Sequence, residues 1–179
     1  RQLSVALNYL YQLILRAMRS FHQQKSFDAR MRALLDEFDF LFRKMLYPQC
    51  TKLLRRAHKL AVQQDAFHYL YELKALEKRL MKQMDPVRAR EYLPRLSQEE
   101  AHALRQVTLL SDLRRIYDEV FAQLARIGLA RTEAQRAEIH SILQQAPIKE
   151  AAAAPGFEGK IIYLYIHAFS ARILNQPHR

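Results

Sequence analysis

The chain has 179 residues, half of them hydrophobic, with three Gly, six Pro, one Cys and a net charge of +11. That length and apolar content exclude disorder as a description of the whole chain and fit one domain over residues 1–179 with a sizeable core. The single Cys50 excludes an internal disulfide framework and fits a reducing, cytoplasmic setting, and no apolar run approaches the roughly 20 residues of a membrane-spanning helix.

Leu, Ala, Arg, Gln and Lys dominate, and no segment alternates apolar and polar residues for long, so every element is predicted helical. Residues 2–22 place Leu3, Leu7, Leu10, Ile14 and Met18 on one stripe at three- and four-residue steps. Ser26 or Asp28 caps the next helix, 28–46, whose stripe is Met31, Leu34, Leu35, Phe38, Leu41, Phe42 and Met45. Pro48 opens a third helix to 63, with Cys50, Leu53, Leu54, Ala57, Leu60 and Ala61 facing one way. A fourth, 66–84, carries Tyr69, Leu70, Leu73, Leu76 and Leu80.

Asp85-Pro86 starts a short helix that Pro94 is expected to end. Ser97-Gln-Glu-Glu100 then reads as a capping box for a long helix reaching Ile127, with Leu113, Ile116, Tyr117, Val120 and Phe121 in its stripe and Gly128 as its stop. Thr132-Glu-Ala-Gln135 is a second capping box, opening a helix that ends before Pro147. Residues 147–156, ending in Ala-Ala-Ala-Ala-Pro-Gly, are the expected loose connection. The last helix, 157–174, is apolar all round through Ile161–Ile166 and expects partners on more than one side. Arg1 at the first position and an apolar pattern starting at Leu3 are expected of a piece of a longer protein.

Residues 47–61, YPQCTKLLRRAHKLA, resemble the second helix of a tetratricopeptide repeat: a small residue, a large one four on, and Ala three further, here Cys50, Leu54 and Ala57. Leu34 and Leu41 match large positions of the preceding first helix. Phe38 stands where the family usually has Gly, and Glu37 where it has Leu. The resemblance implies a tetratricopeptide-like array of antiparallel helical hairpins, an α-solenoid used for protein–protein contact, with no catalytic residues to carry over. A closed helical bundle satisfies the same pattern of short turns.

Motifs for chemistry are sparse. The seven His are scattered along the chain, with no HExxH and no CxxC. Glu99-x-x-His102 has the spacing of a di-iron carboxylate helix, but no second such pair accompanies it, and a place in the first turn of a helix explains the Glu. Cys50 lies on an apolar face, where a thiol is inert. Three glycines build neither GxGxxG nor GxxxxGK[ST]. No cofactor, metal or catalytic residue is expected.

Charge is the stronger signal. The excess is +9 in residues 1–84 and +2 in the remainder. Lys52, Arg55, Arg56 and Lys59 form a ridge on the third helix, continued on the fourth by Lys74, Lys78, Arg79 and Lys82. Such a face suits an acidic protein partner or, in the rival reading, RNA or DNA. Tyr163 and Tyr165 are candidates to line a groove for a partner helix or peptide. The expected function is a non-catalytic scaffold that binds another protein or another copy of itself.

Overall fold

The computed structural model describes residues 2–23, 26–151 and 156–174, and every element among them is a helix. In chain order these are α1 (Gln2–Gln23), α2 (Phe27–Arg43), α3 (Tyr47–Gln63), α4 (Phe67–Met84), α5 (Pro86–Ile127), α6 (Glu133–Leu143), α7 (Ala146–Ala151) and α8 (Phe157–Ile173). They form two compact units, Arg1–Ser97 and Gln98–Arg179, so the division falls inside α5.

In the first unit α3 lies between α2 and α4, and its small residues decide the packing. Cys50, Ala57 and Ala61 share a face with Leu54, and all four are buried against Met31, Leu34 and Phe38 of α2 and Tyr69, Leu73 and Leu80 of α4. Small side chains here let three helices pack closely around Phe38. The Cys50 thiol donates to the Phe38 carbonyl at 3.9 Å, and burial pushes its pKa up, which keeps it protonated.

Longer side chains join α2 to α4. The Tyr69 hydroxyl donates to Asp28 Oδ1 (3.2 Å) and its ring meets Phe27 edge-on, while Arg79 pairs with Asp39 (3.5 Å) and lies 4.1 Å over the Phe42 ring. Start meets start and end meets end, so α2 and α4 run parallel, with α3 antiparallel to both.

The two turns that reverse the chain are built alike. After α2, Leu46 N–H donates to Leu41 O (3.0 Å) and Met45 N–H to Phe42 O (3.0 Å); after α3, Ala66 N–H donates to Ala61 O (2.9 Å) and Asp65 N–H to Val62 O (3.2 Å). These are Schellman turns. Their left-handed residues are Met45 (φ 59) and Asp65 (φ 49) rather than glycine.

The second unit repeats the up–down–up order. Gln123 and Arg126 meet Glu138, and Arg115 and Glu119 meet Gln145, so α5 and α6 are antiparallel. Arg114 pairs with Glu158, Tyr117 meets Tyr165, and Phe121 meets Phe169, which sets α8 parallel to α5. Leu113, Ile116, Val120, Ile139, Ile142, Ile148, Ile166 and Ile173 make the core. Gly128 takes φ 65 at the end of α5, and Thr132 with Gln135 forms the expected capping box.

Two expectations need correction. Pro94 does not end a helix: α5 runs through it, 42 residues in all, and Ser97 and Glu100 lie inside α5 rather than capping it. An interior proline loses one hydrogen bond and crowds the carbonyl a turn before, costing about 3 kcal/mol. Ala89, Leu96 and Ala103 are buried at seven-residue steps along one side of this segment while Pro94 is exposed on the other, so packing overrides the local stop. Pro94→Ala should therefore raise stability by about 2 kcal/mol after the lost rigidity of the unfolded chain is allowed for, readable as a higher urea midpoint.

The helix opened at Thr132 does end before Pro147, at Leu143, but the start of the expected loose connection 147–156 is helical. Pro147 lies in the first turn of α7, where its missing N–H costs nothing. Residues 152–155 of the expected loose connection lie outside the described residues. The α1 stripe contributes no described side chain to the core: from Leu3 to Met18 its large apolar residues are 44–76 % exposed, apart from half-buried Leu15.

Candidate interaction surfaces

On α3 the ridge of Lys52, Arg55, Arg56 and Lys59 is exposed, directly opposite the buried stripe. One turn is 3.6 residues, so these positions share an arc about 100° wide, which is where an amphipathic helix puts its charge. The packing of α2 and α4 divides the ridge between two grooves. Arg55 joins Thr51, His58, Lys74 and Glu77 along a groove of about 380 Å³ between α3 and α4. Arg56 and Lys59 join Arg30, Glu37 and Gln63 along one of about 540 Å³ between α2 and α3.

Lys74 and Lys78 of α4 are placed differently from the lysines of α3. Lys74 is half-buried and its Nζ pairs with Glu77 Oε2 at 3.0 Å. Lys78 is half-buried and engaged within the fold, and Arg79 is held by Asp39 and Phe42. Arg79 is still exposed, as is Lys82, so α4 shares the outer charge with the α3 ridge, and Arg30 adds to it from α2.

Tyr163 and Tyr165 do not come together. Two residues apart on a helix is a rotation of about 200°, so they face different sides. The Tyr163 ring packs on His167, with centroids 4.3 Å apart, and is half-buried at the edge of the core. Tyr165 is 52 % exposed and packs with Tyr117 (6.2 Å) and Phe169 (6.0 Å). Phe121, 51 % exposed, completes the group at 6.3 Å from Tyr117 and 6.1 Å from Phe169.

Four rings thus tile one face of α5 and α8. Tyr117 and Phe121 are four residues apart, as are Tyr165 and Phe169, so each helix offers a pair on one side. That repeated spacing was the signal for Tyr117, Phe121 and Phe169, and it becomes a surface only because α5 and α8 lie side by side in the same direction.

Titration behaviour adds one buried group. His167 Nε2 has no hydrogen-bond partner and burial lowers its pKa. In the unfolded chain it titrates near 6.5. Between the two values only the unfolded state binds the proton, so stability should fall as pH drops below about 6.5. Melting temperatures at pH 7.5 and pH 5 should show this loss in the wild type and a smaller loss in His167→Phe.

Among the described residues no three His, Cys, Asp or Glu side chains converge, and no helix is long and apolar enough to cross a membrane. The Glu99–His102 pair lies well inside α5, with Glu99 half-buried and engaged and His102 exposed. No protein-family model, no curated protein and no solved structure matches the chain.

Proposed function

We propose that this protein is a non-catalytic helical scaffold that binds another protein, assembled as a tetratricopeptide-like array of antiparallel hairpins. The observation that carries the reading is the aromatic face of Tyr117, Phe121, Tyr165 and Phe169 on α5 and α8. Large, stiff rings held by their neighbours and half open to water are the chemistry of interface hot spots: they bury much area for little lost side-chain freedom. The hairpin turns of the first unit, and the burial of Cys50, Leu54 and Ala57 where a repeat helix would pack, support the array. The α3 ridge suits a partner with acidic groups, and a lone buried Cys50 agrees with a cytoplasmic setting.

A second reading is a basic module binding RNA or DNA. It draws on Arg30, Arg56 and Lys59 around one groove, with Lys52 and Arg55 beside it on α3. The two are separable. A protein partner captured by the wild type and lost by Phe121→Ala/Tyr165→Ala, with the helical spectrum unchanged, supports the scaffold. Retention on single- or double-stranded oligonucleotides that weakens steeply with salt and is lost on Arg55→Gln/Arg56→Gln/Lys59→Gln supports the second reading instead.

A further inference from the structure

Among the described residues, helix α1 carries a large apolar face that the first unit leaves uncovered. Leu3, Leu7, Leu10, Ile14, Ala17 and Phe21 follow one another at steps of 4, 3, 4, 3 and 4 residues. That is a heptad seam over three repeats, with Leu7, Ile14 and Phe21 at the a positions and Leu3, Leu10 and Ala17 at d.

The positions beside the seam say what would cover it. On one edge stand Ser4, Tyr11 and Met18, on the other Ala6, Leu13 and Ser20. Coiled coils that select a partner of opposite charge place Glu or Lys at these edges; none of the six is charged. The only charges within the helix, Arg16 and Arg19, lie off the seam and its edges. Two copies of α1 therefore meet without like charges opposed, and no feature of the seam selects a partner of either sign.

Area points the same way. Leu3, Leu7, Leu10 and Ile14 on the seam are 76, 58, 52 and 48 % exposed, and Tyr11, Leu13 and Met18 at its edges 57, 44 and 53 %. Together they present on the order of 700 Å² of surface per copy, close to the ~800 Å² per partner of a stable protein interface. Alone in water, a 22-residue helix with that much exposed apolar surface has little to hold it except its own hydrogen bonds.

We propose that α1 is a self-association element: two copies of this chain pair through the Leu3–Leu7–Leu10–Ile14 seam as a coiled coil. The pairing uses none of the α5–α8 aromatic residues, so either surface can fail without the other.

The test is the mass of the whole chain in solution by sedimentation equilibrium at micromolar concentration. The wild type should give twice the 21.2 kDa of one copy. Leu10→Glu, which puts like charges into the middle of the seam, should halve the mass, while Gln12→Glu, one charge added on the opposite side of α1, should leave it doubled. Because α1 supplies no described side chain to the core, Leu10→Glu should keep the melting behaviour of α2–α4. A monomeric wild type overturns the proposal, and so does a dimer that Leu10→Glu leaves intact. So does a wild type that is monomeric in buffer and sediments with anionic phospholipid vesicles, which would assign the face to a membrane surface.

Discussion

Phe38→Ala should destabilise the first unit by about 3–5 kcal/mol, enough to remove most of the stability of a typical domain. Phe38 is 1 % exposed, and its carbonyl receives the Cys50 thiol across the α2–α3 contact. Its ring stacks on Phe42 at 5.7 Å, which in turn holds the guanidinium of Arg79 from α4. Truncation leaves a cavity in the buried cluster that Phe38 shares with Met31, Leu34, Cys50 and Leu54, which three helices tied by three-residue turns cannot collapse to fill. Urea unfolding of the full chain gives the cost as a drop in midpoint at unchanged slope. A loss under about 1 kcal/mol would mean that α2 does not dock on α3 as described. The position also bears on the repeat resemblance, since the tetratricopeptide pattern has Gly here. Phe38→Gly should be worse than Phe38→Ala by about 1 kcal/mol, the ordinary cost of Gly inside a helix, and so cannot be tolerated as a return to the pattern.

In the second unit Ile116→Ala should cost about 2–5 kcal/mol and Phe121→Ala less than about 1 kcal/mol, although both lie in the same stripe of α5. Ile116 is fully buried among Val120, Ile139 and Ile166; Phe121 keeps half its surface in water. Exchanging a buried methyl-rich side chain for Ala loses transfer energy and leaves a void, whereas a half-open ring on an outer face loses part of its contact and no packing from behind. The pair separates core from contact surface by measurement. Equal costs would place the aromatic quartet in the core and remove the basis for a docking face.

The helices of α2–α4 were legible because their apolar positions recur at helical spacing around small residues: Cys50, Leu54, Ala57 and Ala61 were placed on one face and are buried there. The capping box at Thr132 and the stop at Gly128 were legible for a similar reason, since both depend on residues within one turn. The turns after α2 and α3 gave no such signal. Met45 and Asp65 take left-handed conformations that sequence reading expects of Gly, and the backbone hydrogen bonds that hold them are visible only once the helices are in place. Pro94 failed as a stop because its penalty of about 3 kcal/mol is local, whereas the burial of Ala89, Leu96 and Ala103 on the other side of α5 depends on the fold. The aromatic quartet was half legible. Tyr165 stood out, and Tyr117 and Phe121 lay in the α5 stripe, but these two gain their meaning from α8, far along the chain.

By itself the sequence determined that this chain is helical, which face of each of α2 to α4 is apolar, where charge accumulates, and that α1 carries a seam. Periodicity and capping are properties of a few successive residues, and one residue string is enough to specify them. Only the tertiary structure decided which apolar faces are covered. The stripe of α3 is buried between two helices, that of α5 is divided between core and surface, and that of α1 stays open. Burial depends on whether a second element arrives at the right distance and angle. That is settled by partners tens of residues away, which no local pattern encodes.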